Sequence, residues 1–91
     1  MDICVILGSK SDLPIAEKCR SVLDKFEVSY EIRVASAHRA PKYLESIVEA
    51  AEEDGCQVFI GMAGVAAALP GVIASMTNKP VIGVPVGGKV P

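Results

Sequence analysis

The chain has 91 residues, 51% of them hydrophobic, and a formal net charge of -2 at pH 7. That length holds one domain at most, near the lower limit of comfortable independent stability. The charge excludes the strong basic excess that phosphate-backbone binding needs, so no nucleic-acid partner is expected, and no block of like charge marks a tail or a membrane patch.

Ile3 to Leu7 is an unbroken apolar run ending at Gly8, the pattern of a strand buried on both faces. Ser9-Lys10-Ser11-Asp12 follows as a loop with helix-capping chemistry, and Pro14 suits a first helical turn. Ile15, Ala16, Cys19, Val22, Leu23 and Phe26 then recur at helical spacing. Glu17, Lys18, Arg20 and Asp24 lie on the wet side. From Val28 to Val34 apolar and polar residues partly alternate, which predicts a half-exposed edge strand. Ser36 to Pro41 reads as a loop. A second helix is predicted from Pro41 to about Asp54, with Leu44, Ile47, Val48 and Ala51 inward and Gly55 as its C-terminal cap. Gln57 to Ile60 begins a third strand, and Gly61 to Ala68 reads as a small-residue loop. Leu69, Val72, Ile73 and Met76 mark a third helix, and Pro80 to Val86 a fourth strand.

This β-α-β-α-β-α-β order with short connections and right-handed crossovers gives a parallel, doubly wound sheet. The alternating second strand belongs at an edge, which favours the order 2-1-3-4. The fourth strand would then be the other edge. It carries no charge on either face, and bare apolar edges invite pairing. A fifth strand, or another subunit, is expected beside it. Residues 1–91 are thus read as a single α/β domain that is short at its C-terminus.

Ligands of such sheets bind beyond the carboxyl ends of the strands, near the point where strand order reverses. Four loops converge there: Gly8 to Asp12, Ser36 to Pro41, Gly61 to Ala68, and Val86 onward. The first offers the Ser9 and Ser11 hydroxyls and a helix start, which suits a phosphate. It is neither a Walker loop nor Gly-x-Gly-x-x-Gly. Asp12 is either a helix cap or an acceptor for ribose hydroxyls, and Lys10 reads as a solvated charge. The second loop holds His38, the single histidine. A lone histidine is more often structural than catalytic. This one sits at a strand end beside Arg39, whose guanidinium suits bidentate phosphate binding, and imidazole is well matched to proton transfer near neutral pH. The small residues from Ala63 to Gly71 serve either tight helix-to-sheet packing or the admission of a flat ring. One histidine without nearby carboxylates makes a poor metal site. Cys4, Cys19 and Cys56 form no ligand pair and read as small apolar residues in a reducing compartment. The first residues lack a basic region and a long apolar run, so a cytoplasmic location without membrane attachment is expected.

Gly8-Ser9-Lys10-Ser11-Asp12, Ser36-Ala37-His38-Arg39-Ala40-Pro41, and Ala63-Gly64 through Leu69-Pro70-Gly71 with Pro80 to Val86 together resemble the purine-pathway N5-carboxyaminoimidazole ribonucleotide mutases. That family also includes aminoimidazole ribonucleotide carboxylases. The resemblance runs over essentially the whole chain. It implies a flavodoxin-like fold, a homo-octamer, no metal or organic cofactor, and a carboxylate moved from the exocyclic nitrogen of the ribonucleotide to a ring carbon through released carbon dioxide. It implies that Ser9, Asp12 and Arg39 hold the ribose phosphate, that Ser36, Gly64 and Ala66 line the ring pocket, and that His38 is the general acid and base. Mutases of this class usually carry a second histidine just before Leu-Pro-Gly, where this chain has Ala68. They also continue well past Pro91, so a fragment, a degenerate copy or one part of a larger protein is an expectation too. Three alternatives follow: a catalytically silent ribonucleotide-binding domain, a carboxylase using free carbon dioxide, and a domain like those that build a nickel-pincer nucleotide precursor.

Overall fold

Val5, Ile6 and Leu7 of the first strand, β1 (Ile3–Leu7), are inaccessible to solvent, as the unbroken apolar run requires. The computed structural model describes residues 1–64 and 68–86. Over these the elements are β1, a 3-10 turn at Lys10–Asp12, α1 (Leu13–Lys25), β2 (Tyr30–Val34), α2 (Pro41–Glu53), β3 (Val58–Ala63), α3 (Leu69–Met76) and β4 (Val81–Pro85). The sheet is four-stranded and parallel, in the order β2-β1-β3-β4. Sequence patterning therefore placed both the edge strand and the reversal point correctly.

Alternate residues of the sheet feed two cores. Cys4 and Ile6 face α2 and α3, in a cluster with Leu44, Val48, Phe59 and Ile73. Val5 and Leu7 face α1, with Ala16, Met62 and Val86. The result is three layers, helix–sheet–helix. Burying each large side chain contributes about 1.5–3 kcal/mol. Tertiary packing of this kind is what holds α3, which at 8 residues is shorter than the roughly 12–15 at which isolated helices become even marginal in water.

The structure departs from the sequence reading at several points. The second strand starts at Tyr30 because the Val28 N–H is already committed to the Leu23 carbonyl at 3.0 Å, closing α1. With the Glu27 N–H on the Asp24 carbonyl and Glu27 at φ 56°, this is a left-handed helix terminus without glycine. Gly55 (φ 86°) closes α2 in the same way, with Cys56 N–H on the Ala51 carbonyl. The third strand continues through Gly61, Met62 and Ala63, expected as loop, because these residues pair with β1 on one side and Gly83, Val84 and Pro85 on the other. Finally, Val22 and Phe26 face outward, 53% and 70% exposed, so the buried stripe of α1 narrows to Ile15, Ala16, Cys19 and Leu23.

Cys4 and Cys56 are buried, Cys19 is half-buried, and all three are free thiols. Burial, with the nearby Cys56 and Glu31, pushes the Cys4 thiol up to about 12. Among the described residues β4 has no neighbour on its outer side, and its Ile82 is 52% exposed. No helix among the described residues is long and apolar enough to cross a membrane.

Candidate functional site

The parallel ladder carries the chain past the strand ends and sets the loops side by side. Ala35 N–H donates to the Leu7 carbonyl at 2.9 Å, Gly8 N–H to Met62 at 3.0 Å, and Val86 N–H to Ala63 at 2.9 Å. Three of the four expected loops thus meet at the carboxyl end of β1, between β2 and β3. The fourth, from residue 87 on, lies outside the described residues.

Each loop is locally braced. Ser9 caps the 3-10 turn: its Oγ accepts from Ser11 N–H at 3.2 Å and lies 2.9 Å from Ser11 Oγ. Asp12 precedes α1, but its carboxylate makes no capping bond. Of its two sequence readings, the helix cap is therefore not used. In the second loop Ser36 organises the turn. Its Oγ accepts from Arg39 N–H at 3.1 Å, and its carbonyl accepts from Ala40 N–H at 3.0 Å. This double hold is the side-chain turn chemistry that serine supplies. It places His38 and Arg39 on the outside of the turn, both exposed.

Two adjoining cavities result. The larger, about 620 Å³, lies between the first loop and the start of α2; Ser9, Lys10, Ser36, Arg39 and Tyr43 give it its polar lining. The smaller, about 170 Å³, runs toward α3 and is lined by Asp12, Ser36, His38, Gly64, Ala68 and Leu69, among others. Gly8, Ser9 and Ser36 border both. All the sequence-derived site residues within the described part therefore converge: Ser9, Asp12, Ser36, His38, Arg39 and Gly64. Ala66 lies outside the described residues. A Cβ at Gly64 would meet nothing within 4 Å among the described residues.

The charges divide between the cavities. Arg39 and Lys10 border the larger one, which has no carboxylate in its lining. Among the described residues the ion pairs are Met1–Asp54, Arg20–Glu17 and Arg33–Glu31, so neither cation is neutralised by a neighbour. Asp12 and His38 border the smaller one, where Ala68 presents only a methyl group. A cationic, hydroxyl-lined cavity next to one holding an acid and an imidazole can bind an anion and move a proton beside it. Sequence reading missed Tyr43. It is an ordinary residue of the first turn of α2, and only the cavity it lines picks it out.

Comparison with known proteins identifies the family. The sequence profile described as AIR carboxylase matches residues 2–90. An N5-carboxyaminoimidazole ribonucleotide mutase from Methanocaldococcus jannaschii is 57% identical over 88 residues, covering 97% of this chain and 54% of its own length. The Pyrococcus abyssi protein of the same name is 52% identical, covering 93% of this chain and 49% of that protein. The crystal structure of Treponema denticola PurE superposes with a TM-score of 0.89 at 31% identity, covering 94% of this chain and 55% of that one. The chain spans about half the length of the curated relatives it matches. With the profile running from end to end and the fold shared, the chain belongs to the AIR carboxylase family.

Proposed function

We propose that this chain carries the substrate site of an N5-carboxyaminoimidazole ribonucleotide mutase, acting in purine biosynthesis. The observation that supports this most is the pair of adjoining cavities, one with Arg39, which has no ion-pair partner among the described residues, and the other with His38 and Asp12, joined across Ser9 and Ser36. The relatives' names supply the reaction.

On this reading Arg39 and Ser9 take the phosphate and Asp12 accepts from the ribose hydroxyls. The aminoimidazole ring lies toward Ser36, Gly64 and Ala66. The carbamate carbon–nitrogen bond breaks and releases carbon dioxide, and the exocyclic nitrogen gains a proton. The ring carbon then attacks the carbon dioxide and loses its own proton. The exchange is balanced: one proton leaves carbon and one arrives on nitrogen, with no net acid or base consumed. His38 suits this shuttle, because one imidazole can give the first proton and take the second. Cytoplasmic location and assembly into a homo-oligomer, an octamer by resemblance, belong to the same reading. The bare β4 edge with its half-exposed Ile82 supports assembly.

Ala68 favours a second reading. It borders the His38 cavity and offers no group to orient a carboxylate, so the chain would bind the aminoimidazole ribonucleotide without converting it. One assay separates the two. The carboxyamino ribonucleotide is supplied, and the carbon-carboxylated product is followed alongside equilibrium binding of the aminoimidazole ribonucleotide. Product formation supports the mutase. Binding without product supports the silent domain, and neither binding nor product removes both.

A further inference from the structure

The larger cavity holds two groups that the substrate reading leaves idle, Lys10 and Tyr43. We propose that Lys10 and Tyr43 are phosphate ligands, a second cation and a phenol donor, that set the site's preference for a phosphate dianion over an uncharged sugar hydroxyl. The inference rests on the ribonucleotide reading above and assigns the phosphate end of that site.

The charge balance motivates it. A phosphate monoester carries roughly -1.5 to -2 near neutral pH, and Arg39 alone supplies one positive charge. Lys10 lines the same cavity, has no ion-pair partner among the described residues, and faces no carboxylate across the space. It follows Ser9 directly, so the turn that Ser9 caps also fixes where the lysine stem leaves the backbone. Tyr43 is half exposed. Among the described residues its phenol oxygen has no hydrogen-bond partner, unlike that of Tyr30, which donates to Asp24 at 2.6 Å. It lies in the first turn of α2 and lines the same cavity as Lys10 and Arg39, so a ligand on Arg39 shares that space with both side chains. Charge-assisted bonds of this kind are roughly twice as strong as neutral ones. The volume, about 620 Å³, lies in the range of about 300–1,000 Å³ usual for small-molecule sites.

Ribose 5-phosphate is the direct probe, because it carries the phosphate without the base, and ribose is its control. Calorimetric titration compares the unmodified chain with Lys10→Gln, Lys10→Arg and Tyr43→Phe, each checked for unchanged circular dichroism. The expected result is a Kd for ribose 5-phosphate raised about tenfold in Lys10→Gln and about threefold in Tyr43→Phe. Lys10→Arg should stay within about twofold, and the salt dependence of binding should be shallower in Lys10→Gln. Both the glutamine and phenylalanine variants binding within twofold of the unmodified chain would overturn the assignment, as would no binding of ribose 5-phosphate by the unmodified chain. If the expected pattern appears without turnover of the carboxyamino ribonucleotide, the phosphate assignment stands and only the reaction falls.

Discussion

Placing one methyl group at Gly61 tests how α3 is held against the sheet. Gly61 and Gly83 face each other across β3 and β4, and Pro70 of α3 rests on both. A Cβ at Gly61 would lie 3.1 Å from Ile73 Cδ1 and 3.3 Å from both Cα and Cγ of Pro70. Carbon pairs are comfortable at about 3.5–4.0 Å, so each contact is too short by a few tenths of an ångström. The Ile73 methyl can turn aside, but Pro70 Cα is backbone, and relief requires α3 to lift. Overpacking of this kind typically costs about 1–3 kcal/mol. Alanine recovers about 0.5–1 kcal/mol, the usual penalty of glycine inside a strand. Gly61→Ala should therefore lose about 1–2 kcal/mol. At Gly83 the close atoms among the described residues are the Pro70 Cβ and Cγ, at 3.2 Å, and the position is exposed on an edge strand. Gly83→Ala should lose less, and the double variant less than the sum, because both methyls press on one proline. Urea unfolding followed by circular dichroism gives the free energies. A Gly61→Ala chain as stable as the parent, or a costlier Gly83→Ala, would refute the packing argument. Because α3 brings Ala68 and Leu69 to the His38 cavity, Gly61→Ala should also weaken ribonucleotide binding.

Gly55→Ala should cost about 1 kcal/mol, wholly from its φ of 86°, since a Cβ there meets nothing within 4 Å among the described residues. Urea unfolding measures it, and Gly55→Asn should lie between the two. Glu27→Gly should do the reverse, gaining about 0.5–1 kcal/mol by relieving a left-handed non-glycine residue. The Cys4 thiol stays neutral in the fold until about pH 12, against 9.0 for an ordinary thiol. Its contribution is therefore complete below pH 9 and declines as pH rises toward 12, and urea midpoints should fall across that window and recover partly in Cys4→Ala. Arg39→Ala should weaken aminoimidazole ribonucleotide binding at least about tenfold with little change in stability, as read by titration and by thermal melting.

The features legible in the sequence share one property: each is a local pattern with one physical outcome. Uninterrupted Ile3–Leu7 requires a strand covered on both faces, and alternation in Val28–Val34 requires an edge. Together they fix which strand is central and where ligands enter. Gly55 as a cap, and the inward face of Leu44, Ile47, Val48 and Ala51, follow in the same way. What escaped depends on partners distant in sequence. Gly61–Ala63 looks like loop until β4 is there to pair with it. Val28 looks like strand until its N–H is seen closing α1. Val22 and Phe26 share the period of the buried stripe, yet only the reach of the sheet decides how wide that stripe is. At the site, Ser9, Ser36, His38 and Arg39 stood out as unusual residues at strand ends. Tyr43, an ordinary helix residue, is picked out only by the cavity it lines.

On the proposed mutase reading, the Ser36–Arg39 turn divides the work, with Arg39 holding the phosphate and His38 moving the proton. The most direct measurement is His38→Asn, with turnover of the carboxyamino ribonucleotide and equilibrium binding of the aminoimidazole ribonucleotide measured on the same preparation. Asparagine keeps a polar side chain on the exposed turn and removes the titratable imidazole. Binding within about twofold of the parent, with turnover lowered by about a hundredfold or more, is the predicted result. Equal turnover by parent and variant would contradict it.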